Sequence, residues 1–195
     1  MTILRNKGSR LGLALLAVPL SLALLVGASG APATRAAASA PAPSTAQQRF
    51  EVQFMKRMID HHFMAVRMAE QCVAKARHER LREQCAEIAK AQSEEIRMMR
   101  SWLRRWYHTD HKPQLGMSER AQLRELASAH GAKYEIMVME MFIDHHAVAL
   151  IRAEDCIHRA YHDKLVDACR MIVETQRAEI ARFRYWLRAW YGIYA

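Results

Sequence analysis

Strand signal is scarce in this 195-residue chain, and so are the residues that punctuate short strands, with seven glycines and five prolines in all. An all-β or alternating α/β fold is therefore excluded for the part that folds. Missing too is any basic block interleaved with aromatics. The formal charge is +9, falling to +6 once Arg5, Lys7 and Arg10 are discounted, but the basic residues are scattered over helix surfaces and ends. Nucleic acid is not an expected partner. Nothing supplies a catalytic nucleophile or substrate pocket, so an enzyme is the lesser expectation.

The first residues read as targeting. Arg5, Lys7 and Arg10 precede an apolar run from Leu11 to Ala28, interrupted by Pro19 and followed by small residues. This is a secretory signal layout over residues 1–30, with an uncleaved anchor as the alternative. Residues 31–48 are rich in Ala, Pro, Ser and Thr and read as a flexible tether. The folded part is expected over 49–195, periplasmic or extracellular, where four cysteines point to disulfides.

That folded part is built twice. MIDHHFMAVRMAEQC, Met58 to Cys72, returns 84 residues later as FIDHHAVALIRAEDC, and shifting Phe54–Tyr107 onto Val138–Tyr191 gives identity at 23 of 54 positions without a gap. A repeat of this length is a duplicated structural unit, here 49–107 and 134–191 with a linker over 108–133. In each copy, apolar residues at three-four spacing predict two amphipathic helices joined by a short turn, hence a hairpin. Pairs summing to 157 face one another, from Cys72/Cys85 through Ala65/Gln92 and His62/Glu95 to Met58/Met99; the second copy repeats them as Cys156/Cys169, Ala149/Gln176, His146/Glu179 and Phe142/Phe183. The linker contains a short helix capped by Ser118 and ended by Gly131. Two hairpins joined between open ends predict an all-α, up-down-up-down four-helix bundle with both turns at one end.

In that arrangement His62, Glu95, His146 and Glu179 converge, and a buried carboxylate needs such a partner. The cysteine rungs predict Cys72–Cys85 and Cys156–Cys169 bridges, with four thiols or a four-cysteine metal site as alternatives. No histidine follows a glutamate by three residues, which argues against a carboxylate-bridged di-iron site. Two imidazoles and two carboxylates suit zinc. Met55, Met58, Met64, Met68, Met98 and Met99 cluster around His61 and His62 in the first copy, and soft thioethers select copper, above all Cu(I). His61, Met64 and Met68 form a stripe beside the seam, expected to be reachable from solvent. The second copy has Val148, Arg152, Arg182 and Phe183 in place of Met64, Met68, Met98 and Met99, so a methionine site is expected in the first hairpin alone. His78 and His162 mark the turns and read as exposed; the tryptophans close the open end of the core.

MIDHHFMAVRMA, QSEEIRMMRSWL and GMSERAQLRELASAHGAKYE, running into the second IDHH, resemble a bacterial family of exported His-His proteins, domain of unknown function DUF 305. The resemblance implies a ferritin-like four-helix bundle outside the cytoplasm, with copper binding among some relatives. It carries His61, His62, Met64 and Met68 as motif residues. His145 and His146 also match. The expectation is an exported protein that sequesters Cu(I) or Cu(II) through His61, His62, Met64, Met68 and Met98 or Met99. The alternatives are an envelope interaction module in which His-Glu pairs fix register, and a metalloenzyme using His62, Glu95, His146 and Glu179. The oligomeric state and any membrane partner are not legible.

Overall fold

The computed structural model describes residues 42–195, so the signal segment and most of the tether lie outside the described residues. Five helices follow one another: α1 (Thr45–Lys75), α2 (Glu79–Tyr107), α3 (Met117–Ser128), α4 (Gly131–Arg159) and α5 (Asp163–Tyr191). The all-α class and the two hairpins, α1–α2 and α4–α5, are as the repeat requires.

Helix ends differ from the sequence reading for local reasons. α1 starts at Thr45, ahead of Arg49, because Ser44 and Gln47 form a capping box: Gln47 N–H donates to Ser44 Oγ at 3.2 Å and Ser44 N–H to Gln47 Oε1 at 2.9 Å. α3 is capped by the extended backbone of Gly116 and not by Ser118. Gly131 opens α4 instead of closing α3, at a positive φ of 59° that favours glycine.

The larger correction concerns direction. The hairpins lie head to tail, not with both turns at one end. Glu51, early in α1, reaches the α4–α5 turn at His162, and Glu135, early in α4, reaches the α1–α2 turn at His78. α1 and α4 are therefore antiparallel, and the bundle runs up-down-down-up. The linker makes this possible by climbing α1. His111 and Gln114 bond Asp60, Gln71 reaches the Leu123 carbonyl, and Lys75 reaches that of Ala129. α3 alone covers about 18 Å of that climb, at roughly 1.5 Å per residue over 12 residues.

The core accordingly has two halves. One joins the Cys72–Cys85 end of the first hairpin to Met139, Phe142, Phe183 and Trp186 of the second, with Leu123 and Leu126 of α3. The other joins Met55, Met58, Met99 and Leu103 to the Cys156–Cys169 end. Both hairpin disulfides are formed, with Cα–Cα distances of 6.0 and 6.3 Å.

Each pole is closed by the same device. The buried Glu51 carboxylate accepts from Tyr161 N–H at 2.6 Å and His162 N–H at 2.8 Å, contacts His162 Nδ1 at 2.7 Å and takes the Tyr107 hydroxyl. Glu135 does likewise with Arg77 N–H, His78 N–H, His78 Nδ1 and Tyr191. Trp106 stacks on His162 and Trp190 on His78, at 3.9 and 4.0 Å. His78 and His162 are thus not free turn residues: they are half-buried partners of the opposite hairpin's carboxylate.

Candidate metal centre

Two layers of histidine lie at the middle of the bundle, between the core halves. In the inner layer His62 and His146 are fully buried by their seam positions. His62 Nε2 lies 2.7 Å from Glu95 Oε2, and His146 Nε2 lies 2.8 Å from Glu179 Oε2. The contacts are close but oblique. Neither Nε2 directs a straight hydrogen bond at its carboxylate, and both Nδ1 atoms are buried without a protein partner. These are close imidazole–carboxylate contacts whose direction makes them poor hydrogen bonds.

The two pairs are not equivalent. Gln84 Nε2–H donates to Glu179 Oε1 at 3.3 Å, and Arg182 donates to the Gln84 carbonyl oxygen, tying the second pair to α2. Around the first pair the corresponding positions hold Ala168 of α5 and Met98 of α2, and the Glu95 side chain is 23% exposed against 9% for Glu179. Glu95 and Glu179 line one small gap between α2 and α5, together with Gln92 and Gln176. Both carboxylates thus border this gap, each with its own histidine, but among the described residues the two pairs do not come together as the single four-residue group that the sequence leads one to expect.

The outer layer is where α1 crosses α4. The His61 and His145 rings stack with centroids 3.6 Å apart, so the second copy enters the site that the sequence assigned to the first alone. His145 Nε2–H donates to the His61 carbonyl oxygen at 3.0 Å, which fixes the tautomer and leaves Nδ1 as the atom with a free lone pair. Metal-binding histidines are commonly oriented in this way. Burial, with the mutual repulsion of the histidines and Arg152 added, holds both His61 and His145 well below the usual imidazole range. Both rings are neutral at physiological pH, the form that ligates metal.

A cavity of about 390 Å³ opens beside this stack, lined by His61, Met64, Met141, Asp144, His145 and Glu119 of α3, among others. Of the stripe expected to be reachable from solvent, His61 and the nearly buried Met64 line this cavity, whereas Met68 is fully buried, packed with α3 and α4. Met55, Met58 and Met99 are buried in the other core half, and Met98 is half-buried one turn beyond Glu95. The structure therefore does not gather all the candidate methionines around His61. Met141 was missed because its repeat partner is Arg57; its position four residues before His145 was the available signal. Among the described residues no three His, Cys, Asp or Glu side chains converge as a metal-holding group. The donors that line the cavity are two imidazoles, two thioethers and the carboxylates of Asp144 and Glu119; the thioethers are the soft ligands, which fit copper better than zinc.

A family model described as Domain of unknown function (DUF305) matches residues 51–187. Among solved structures, the chain is similar to CopM in the Cu(I)-bound form, with 26% identity, a TM-score of 0.66, and coverage of 73% of this chain and 98% of that one. CopM in the Cu(II)-bound form matches at 25% identity and a TM-score of 0.66, covering 72% of this chain and 97% of that one. A DUF305 fragment from Deinococcus radiodurans, at 24% identity and a TM-score of 0.65 over 76% of this chain and 99% of its own, shows the shared fold. The search of curated proteins returns no match. No helix of the described residues is long and apolar enough to cross a membrane.

Proposed function

The chain belongs to the DUF305 family, and on that footing we propose that it is an exported copper-binding protein that sequesters or passes on the ion where α1 crosses α4. The observation that carries this reading is the shared cavity: two neutral imidazoles and two thioethers, His61 and Met64 from one copy, His145 and Met141 from the other. Thioethers favour Cu(I), which tolerates low coordination numbers, while imidazole serves either oxidation state. His62 with Glu95, Met98 and Met99 forms a reserve of further donors one layer inward. Residues 1–30 act as the export signal and 31–43 as the tether ahead of the Ser44 cap, and the two disulfides suit an oxidising compartment.

The similarity to CopM, solved with Cu(I), Cu(II) and Ag, supports the same reading. A purely architectural role is favoured for one element, the His146–Glu179 pair, because Gln84 and Arg182 already tie it to α2.

Titration of the mature protein with Cu(I) and with Cu(II) tests the proposal, using His61→Ala/His145→Ala and Met64→Leu/Met141→Leu. The histidine variant is expected to lose affinity for both ions, and the methionine variant for Cu(I) chiefly. Unchanged affinity in both variants rejects these ligands. Absence of copper from protein purified without chelator or affinity tag, together with no binding on titration, rejects the function.

A further inference from the structure

The repeat relates the two halves of the α1–α4 groove on either side of the His61–His145 stack. One half is filled by α3. Leu123 and Leu126 are buried with Met68, Tyr134 and Val138. Lys75 lies 4.8 Å over the Tyr134 ring and donates to the carbonyls of Ala127 and Ala129 at the end of α3.

The other half reproduces this floor. Phe50 and Arg159 are the repeat partners of Tyr134 and Lys75, and the Arg159 guanidinium stands 4.1 Å over the Phe50 ring. Among the described residues no segment covers it, and a cavity of about 430 Å³ lies over Phe50, Phe54, Arg57 and Arg152. Its charge is uncompensated. Arg49, Arg57 and Arg152 make no ion pair among the described residues, and residues 1–41 contain no acid that could supply one. The one carboxylate present, Asp155, is taken by Arg159 at 2.9 Å. Where the covered half has Met141 and Met68, the open half has Arg57 and Arg152. Arg152 is half-buried beside Arg57, a like-charge arrangement that an arriving anion relieves.

We infer that this open half docks an acidic amphipathic helix of a partner protein in the way the covered half holds α3. Apolar side chains of the partner lie on Phe50 and Phe54, its carboxylates meet Arg57 and Arg152, and its C-terminal carbonyls face Arg159, as those of α3 face Lys75. Electrostatics sets the on-rate and the specificity of such a contact. The inference does not depend on copper.

The probe is a fluorescently labelled peptide of residues 116–130 carrying Arg120→Glu and Arg124→Glu, titrated by anisotropy into the mature protein without copper. Saturable binding that weakens with salt is expected. It should fall at least tenfold in Arg57→Glu/Arg152→Glu, fall less in Arg57→Gln/Arg152→Gln, and persist in Arg184→Glu/Arg188→Glu, where the same charge change is made on another basic cavity. Circular dichroism checks each fold, and the glutamine variant carries the test if the glutamate one does not fold. No saturable binding to the unsubstituted protein overturns the inference, as do equal losses in the groove and control variants. Binding of inorganic phosphate or of phosphatidylglycerol vesicles through Arg57 and Arg152, without binding of the peptide, also overturns it and assigns the groove to an anion or a membrane.

Discussion

Replacing Glu135 by glutamine keeps the size of the side chain and removes the charge that joins the two hairpins at one pole. The carboxylate accepts two backbone N–H groups on one oxygen, while His78 Nδ1 and the Tyr191 hydroxyl meet the other. An amide can keep its oxygen towards the backbone donors, but its NH₂ then faces the tyrosine hydroxyl and the imidazole. Two charge-assisted bonds are lost, at about 1.5–3 kcal/mol each, and unpairing a buried charged network costs about 3–5 kcal/mol. For a domain of this size roughly 2–4 °C accompanies each kcal/mol, so the melting temperature should fall by about 10 °C. Glu51→Gln at the other pole should cost as much, and the losses should add because the poles share no partner. The pH dependence gives a second reading. Burial alone would push both carboxyls up, but hydrogen bonds from Tyr107, His162 and Tyr161 to Glu51, and from Tyr191, His78 and Arg77 to Glu135, hold them below the usual 4.5. A carboxyl depressed in the folded state stabilises fully above its unfolded value and loses that contribution as pH falls through the folded one. Urea unfolding with disulfides intact should show native protein weakening below about pH 4.5, and the double variant should show a flatter profile there. A loss under about 0.5 kcal/mol, typical of an ordinary surface position, or an unchanged acid slope in the double variant, refutes the reasoning.

Three other consequences are accessible. Reducing both disulfides, each closing a sequence separation of 13, should remove about 3 kcal/mol apiece; superimposable melts of oxidised and reduced protein would contradict this. Met141→Leu should lower Cu(I) affinity about tenfold with little change in stability, as the swap conserves volume, whereas Val148→Leu should leave affinity alone; competition with a chromogenic chelator reads both. Gln84→Ala frees the Glu179 oxygen it holds and should cost about 1–3 kcal/mol in urea unfolding, a larger loss than Ala168→Ser at the repeat-related position.

What was legible in the sequence is what helical periodicity encodes locally. The seam spacing orders each hairpin rung by rung, so the pairs His62/Glu95 and His146/Glu179 and both cysteine bridges follow from residues close in the chain. The direction of the second hairpin was not legible, because a linker holding a helix can return to the same end or climb to the other. Which it does depends on tertiary contacts such as Asp60 with His111 and Lys75 with Ala129. The same reversal hid Glu51 and Glu135. Each lies three residues before the aligned repeat and finds its partners in the opposite turn, so His78 and His162 looked like unattached turn residues. Their identity across the repeat, with Tyr107/Tyr191 and Trp106/Trp190, was the available sign that each pole is one cluster.

The head-to-tail arrangement also explains why the copies differ where they do. Near the axis that relates them a residue meets its own copy, as His61 meets His145, and identity is preserved. Away from it the linker breaks the symmetry, because α3 can cover only one half of the groove. Under α3 stand Met68 and Met141, neutral and soft; on the uncovered half stand Arg152 and Arg57. A cation held at the histidines therefore has a thioether wall on one side and a guanidinium wall on the other. Coulomb repulsion disfavours entry from the arginine side, and Asp144 and Glu119 line the cavity on the methionine side. On the proposed reading, copper enters and leaves past Asp144 and Glu119. The arginine half is left for a partner of opposite charge, so ion exchange and partner docking occupy separate faces of one crossing.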